Sequence, residues 1–252
     1  MVEFVEDCNK VLLSSNIDEV KNVKEYVKNR FINEDSIRTH MIGYCPHNLY
    51  IPKDMRYYGS DSKNRFDNLK YIKGKLIVPI FSEFNEMIAF ATRTPSTEKG
   101  NFWWNLPYPF EKRNHFYLLD KARKSIFKYN KAYLVEGYVD GIILNQYGLV
   151  NTCGIMGIAL TLRKIGLLAR YCENICFCFD SDENKAGEKA FKKSVATISK
   201  FNFVKNISCI EGIPIGQDPD VYMAQNGLNK FLSLERKLTH NEIKNIQKEI
   251  NG

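Results

Sequence analysis

Three carboxylates are spaced to do chemistry together. Glu136 follows the apolar run KAYLV, while Asp180 and Asp182 follow NICFCF. Residues two apart on extended backbone share a face, so Asp180 and Asp182 can point the same way. Carboxylates brought together repel, and a cation relieves the repulsion. Ligands that are all oxygen favour Mg2+ or Mn2+ over softer metals. Gly137, beside Glu136, leaves room for a phosphate near the backbone. The bland alternative is that acids after strands merely cap the next helix. An isolated Asp-x-Asp pair does not separate these readings. A strand ending in Glu-Gly, followed later by a strand ending in Asp-x-Asp, is far more specific.

The elements that must position these acids alternate. KAYLVEG reads as a strand, YVDGIILNQYG as a helix ending at Gly148, and LVNTCG as a second strand. TLRKIGLLARY is a helix, NICFCFD a third strand, NKAGEKAFKKSVATISKF a helix and NISCIEG a fourth strand. Such alternation predicts βαβ units and a largely parallel sheet, whose reactive groups gather at the carboxyl ends of the strands. The last forty residues are polar and helical in tendency.

Upstream, the pattern differs. The stripe Val20, Val23 and Val27 marks a helix, with Asp18 placed to cap it. Asn33 or Asp35 starts another short helix that stops before Gly43. Residues 44 to 74 read as irregular. KLIVPIFS and MIAFATRT form a hairpin around Asn85, NFWWNL adds a strand, and HFYLLDKARKSIFKY is a helix. Residues 50 to 130 hold 15 Lys/Arg against 8 Asp/Glu, the whole +7 excess of the chain. A basic stretch suits a polyanion such as nucleic acid, although a lysine-rich surface has the same composition.

The seven cysteines are an odd number, and two lie in the apolar run ICFCF. With no secretory signal at the N-terminus, they read as free and buried rather than as disulfides. None of the four histidines pairs with a cysteine at zinc-site spacing, so no zinc is expected. No apolar run approaches the ~20 residues that span a bilayer, and a cytoplasmic location is expected.

The run LVEGYVDGIILNQYGLVNTCGIMGIALTLRKIGLLARY, followed by ICFCFDSDENKAGEKAF, resembles the Toprim domain of DnaG-type bacterial and phage primases. GQDPDVYM resembles that family's further acidic segment. GKLIVPIF with MIAFATR, FEKRNHFYLLDKAR and the N-terminal stretch ending IGYCP resemble the rest of its polymerase core. The likeness spans most of residues 1 to 225. It implies an α/β fold, α+β overall: a basic mixed subdomain over 1–130, a Rossmann-like Toprim sheet over 131–211, and an acidic segment with a helical tail over 212–252. The family's zinc-binding and helicase-binding domains are expected to be absent, and the family's lysine before a Tyr-Leu-Asn run falls at Phe102.

The resemblance also implies the site. Glu136, Asp180 and Asp182 are the expected catalytic metal ligands, with Asp140, Asp218 and Asp220 beside them and more than one Mg2+ or Mn2+ ion. Arg93 and Lys112 are the expected contacts to nucleotide or template, with Arg65, Lys75, Lys99 and Arg113 as further candidates. Phe102, Trp103 and Trp104 offer stacking surfaces to bases, although packing in the core is the reading favoured for Trp104. The implied reaction joins ribonucleoside triphosphates into an RNA primer on single-stranded DNA, with a replicative helicase acting in trans. The rivals are a Toprim nuclease using the same acids and a non-catalytic DNA-binding accessory protein. Clustered acids facing a polyanion argue against the latter.

Overall fold

The computed structural model describes residues 1–53, 57–58, 66–67, 69–96, 102–107, 110–157, 160–180 and 186–251. The chain forms two compact units, 1–81 with 86–110 and 82–85 with 111–252.

In the first unit, α1 (Val2–Ser14) carries Phe4, Val5, Cys8 and Leu12 on one buried stripe. That spacing is the apolar face of a helix. The stripe packs on an antiparallel sheet of order β1-β4-β5-β6, comprising Gly43–Cys45, Lys75–Phe81, Met87–Arg93 and Trp104–Leu106. β1 lies so close to α1 that a Cβ on Gly43 would sit 2.6 Å from Cys8 Cβ. Asn85, in the turn between β4 and β5, has φ 67°, a left-handed conformation that Asn tolerates better than most residues.

Two helices follow α1. α2 (Asp18–Asn29) buries Val20, Val23 and Val27 as expected. Asp18 does not cap it. The cap position is Ile17, and Asp18 lies in the first turn with its carboxylate 2.8 Å from Lys21 Nζ. α3 (Glu34–Thr39) starts at Asn33, whose side chain accepts the Ser36 N–H at 2.8 Å. The stretch read as irregular holds β1's last residues, a two-stranded ribbon of β2 (Tyr57–Tyr58) and β3 (Phe66–Asp67), and the short helix α4 (Leu69–Ile72). Its pieces are too short to show a period.

In the second unit, β7 (Lys131–Val135), β8 (Thr152–Gly154), β9 (Asn174–Cys178), β10 (Asn206–Ile210) and β11 (Glu235–Lys237) form one sheet of order β11-β10-β9-β7-β8. The β10-β9-β7-β8 part is parallel and β11 is antiparallel to β10. The connections are α6 (Tyr138–Gln146), α7 (Leu162–Leu168) and α8 (Ala186–Ile198). α5 (Leu119–Tyr129) precedes β7, α9 (Pro219–Leu232) packs against α6, and α10 (His240–Asn251) packs against α8. The unit begins near residue 111 rather than 131, because Leu119, Ala122 and Ile126 of α5 join the core of this sheet. The C-terminal stretch is not a separate tail: β11 extends the sheet, and Glu235 takes hydrogen bonds from Lys131, Tyr133 and Ser208. All seven cysteines are free, and six are buried. Among the described residues, no helix is long and apolar enough to cross a membrane.

Candidate active site

The strand order places a reversal at β7 and β9. The chain leaves β7 toward β8 on one side and leaves β9 toward β10 on the other. A crevice opens at such a reversal, outside the carboxyl ends of the strands, and open α/β sheets bind ligands there. Glu136 is the first residue beyond β7 and Asp180 the second beyond β9. Val135 stands opposite Cys178 in the parallel pair, so both acids arise at this crevice. Glu136 Oε1 accepts the Asp180 N–H at 3.3 Å.

Glycines make this approach possible. A Cβ on Gly187, at the start of α8, would lie 2.3 Å from the Asp180 carbonyl oxygen and 3.0 Å from Glu136 Oε1. Any other residue would push α8 off the acids. Beyond β8, Met156 and Gly157 take φ values of 59° and 69°, which turns the chain back over β7. There the Ile155 N–H donates to the Val135 carbonyl at 2.8 Å and the Gly157 N–H to the Glu136 carbonyl at 2.9 Å.

The other acids take different positions. Asp140 is buried in the first turn of α6, where its Oδ2 accepts the Gly137 N–H at 2.9 Å. A Cβ on Gly137 would meet that oxygen at 2.7 Å, so the room beside Gly137 is occupied by the Asp140 carboxylate. Asp218 is the cap residue of α9, and Asp220 is 1% exposed with Oδ1 accepting the Val221 N–H at 2.7 Å. Asp182 lies outside the described residues, as do Arg65 and Lys99. Among the described residues no three acidic, His or Cys side chains are grouped to hold a metal. Glu136 and Asp180 nonetheless fit a hard divalent cation: both donors are oxygen, they come from adjacent strand ends, and Gly187 keeps side chains away from them. A cavity of about 520 Å³ adjoins Asp180, lined among others by Phe179, Gly187, Phe191 and Ile213.

The basic candidates divide between the units. In the first, Lys75 Nζ donates to Thr94 Oγ1 at 2.5 Å. Arg93 closes β5 with its guanidinium 5.7 Å from the centre of the Trp103 ring, a cation–π contact. Its Nε is buried without a hydrogen-bond partner among the described residues. Phe102 is 72% exposed. Trp104 is not core: it is 49% exposed and its ring lies 4.5 Å from that of Tyr71, because it opens β6, the edge strand of its sheet, where only Leu106 at the other end is covered. In the second unit, Lys112 and Arg113 lie in a 3-10 turn, Lys112–Asn114. The Arg113 carbonyl accepts from Thr161 Oγ1 at 2.7 Å, which ties the turn to the start of α7.

Residues 133–223 match the Toprim-like family model. The chain is 26% identical over 240 residues to the DNA primase of Thermotoga maritima, covering 89% of this chain and 41% of that protein. Its fold superposes on a DNA primase domain from Pseudomonas aeruginosa with TM-score 0.77 and 24% identity, covering 94% of this chain and 78% of that one. A DnaG primase catalytic domain solved bound to single-stranded DNA superposes with TM-score 0.69 and 21% identity, covering 92% and 79%. The chain has the fold of the DnaG-type primase catalytic cores and carries a Toprim-like segment over 133–223. It spans less than half the length of the curated primases it matches.

Two supporting residues of this site escaped the sequence reading. Gly187 is one; its signal was a glycine just beyond the Asp-x-Asp run. Lys164 is the other. It is fully buried on α7, whereas Leu162 of the same helix is 70% exposed. The available signal was position: Lys164 lies beside Ile165 and four residues before Leu168, both buried.

Proposed function

We propose that this primase core joins ribonucleoside triphosphates into short RNA primers on single-stranded DNA. The observation that carries the reading is the meeting of Glu136 and Asp180 at the β7/β9 reversal, within a chain whose full length resembles primase cores. Glu136, Asp180 and Asp182 would hold a divalent metal, with Asp218 and Asp220 contributing to a second. Bound there, Mg2+ or Mn2+ lowers the pKa of the primer 3′-hydroxyl and stabilises charge on the α-phosphate. Asp140 shapes the Glu136-Gly137 turn through its bond to the Gly137 N–H. Lys112 offers its ammonium to the triphosphate. Arg93, whose buried Nε has no hydrogen-bond partner among the described residues and whose guanidinium lies over Trp103, is suited to a template phosphate with a base stacked nearby.

The test is a priming assay with single-stranded DNA, labelled ribonucleotides and Mg2+ or Mn2+, run beside Glu136→Gln and repeated with a replicative helicase. Short RNA that requires template, metal and Glu136 is the expected product. Loss of template that depends on Glu136 would transfer the site to a nuclease.

A further inference from the structure

α7 is turned against its own composition. Leu162 is 70% exposed, while Lys164, two residues on, has no exposed surface. A lysine normally keeps its ammonium in water even when its stem is covered, so full burial demands a partner. Lys164 Nζ donates to the Ile155 carbonyl at 2.6 Å and lies 5.3 Å from the centre of the Phe116 ring. Ile155 opens the turn that runs through Met156 and Gly157, both in the left-handed region. That conformation is unfavourable for Met and persists only where neighbours enforce it. The same turn supplies the two N–H groups that bond the Val135 and Glu136 carbonyls.

We propose that Lys164 is a positioning residue: its buried amine fixes the Ile155–Gly157 turn and, through it, the backbone of Glu136. The line of contact is continuous and short. The amine holds the Ile155 carbonyl, the Ile155 and Gly157 amides hold the end of β7, and Glu136 leaves β7 at that point toward Asp180. A second cation acts on the amine. Lys112 repels it, and His115 is influenced by both Arg163 and Lys164 as well as by Glu111 and Glu83. Burial, then Lys112, pushes the Lys164 amine down to about 7. Charged or neutral, the amine keeps an N–H for the Ile155 carbonyl.

The first readout needs no activity. Amide hydrogen exchange is compared between the wild type and Lys164→Met, which preserves length and removes the donor. Exchange at the Ile155 and Gly157 amides is expected to quicken by about tenfold, the scale of one lost hydrogen bond, with β9 and β10 amides unchanged. Unchanged exchange at the two amides overturns the proposal. So does an acceleration spread evenly over the sheet, which would make Lys164 a general stabiliser. If Lys164→Met does not fold, Lys164→Gln, whose donor stops short of the carbonyl, gives the same comparison.

The second readout rests on the primase reading. In the priming assay kcat is expected to fall about tenfold with KM within about twofold, since the loss is in placing Glu136 rather than in binding nucleotide. A rise in KM with kcat unchanged overturns the positioning role. A wild type that makes no primer, with the local exchange effect intact, would defeat the primase reading and leave the proposal standing.

Discussion

Replacing Lys164 by Met is expected to alter stability in a pH-dependent way whose direction follows from burial. In the unfolded chain the amine titrates near 10.5, and in the fold it titrates near 7. A folded-state pKa below the unfolded one means that the unfolded chain binds the extra proton, so stability rises with pH between the two values. Below pH 7 the ammonium is charged in both states and the wild type carries the full cost of burying it. As pH rises from 7 toward 10.5 that cost disappears. A shift of roughly 3.5 units at ~1.4 kcal/mol each corresponds to about 5 kcal/mol over the whole window. About 2 kcal/mol of it falls between pH 7 and pH 9. Met has no such titration. Urea unfolding of both proteins, with reductant present, is therefore expected to show the wild type gaining about 2 kcal/mol on Lys164→Met from pH 7 to pH 9. Comparing the two cancels the other titrating groups they share. A stability difference that is flat with pH, or that moves the other way, would refute the assignment of Lys164 as a buried amine whose proton is lost more readily in the fold than in the unfolded chain.

Other perturbations probe the site and its frame. Gly187→Ala sets a Cβ within 2.3 Å of the Asp180 carbonyl oxygen, so it is expected to destabilise by about 1–3 kcal/mol and to weaken Mg2+ or Mn2+ binding, read by calorimetry. Glu136→Gln is expected to abolish primer synthesis with an unchanged melting temperature. A residual rate near wild type would remove Glu136 from the chemistry. Arg93→Ala is expected to weaken binding of fluorescent single-stranded DNA and to lower the slope of log affinity against log salt by about one counterion. Burial opposes ionisation of Glu235, yet bonds from Lys131, Ser208 and Tyr133 hold its carboxyl below the usual range. Its contribution to stability is therefore present above pH 4.5, the ordinary carboxylate value, and is lost as pH falls below it through the lowered folded value. Acid unfolding of Glu235→Gln should lack that component.

The placement of the acids was legible because two simple rules suffice for it. Short apolar runs alternating with helical ones define a parallel sheet, and groups that follow such runs lie at its carboxyl edge. KAYLV then Glu136, and NICFCF then Asp180, satisfy both. Adjacency of β7 and β9 was not legible, since they are separated in sequence by β8, and the order β10-β9-β7-β8 is a property of how the chain crosses over. α5 was visible as a helix, but its membership in the second unit depends on Leu119, Ala122 and Ile126 meeting β7 and β8. Trp104 was misplaced for a related reason: it opens β6, a three-residue strand at the edge of its sheet, where burial depends on what packs over that edge and not on alternation.

The supporting residues were hidden by the averages on which sequence reading depends. A lysine in a helix is ordinarily outside and a leucine inside, and α7 reverses this at Leu162 and Lys164. Covering Leu162 would be worth about 1.5–3 kcal/mol, a gain the fold forgoes. The rotation of α7 is set instead by Ile165 and Leu168, which must meet the sheet, and by Thr161, which caps the helix at the Lys164 N–H and also bonds the Arg113 carbonyl. Once those are fixed, position 164 faces the carbonyl of Ile155, and an apolar side chain there would remove the hydrogen bond that Lys164 gives it. The lysine is thus answering a demand made by the turn beside Glu136, a demand visible only after β8 and α7 have been placed together.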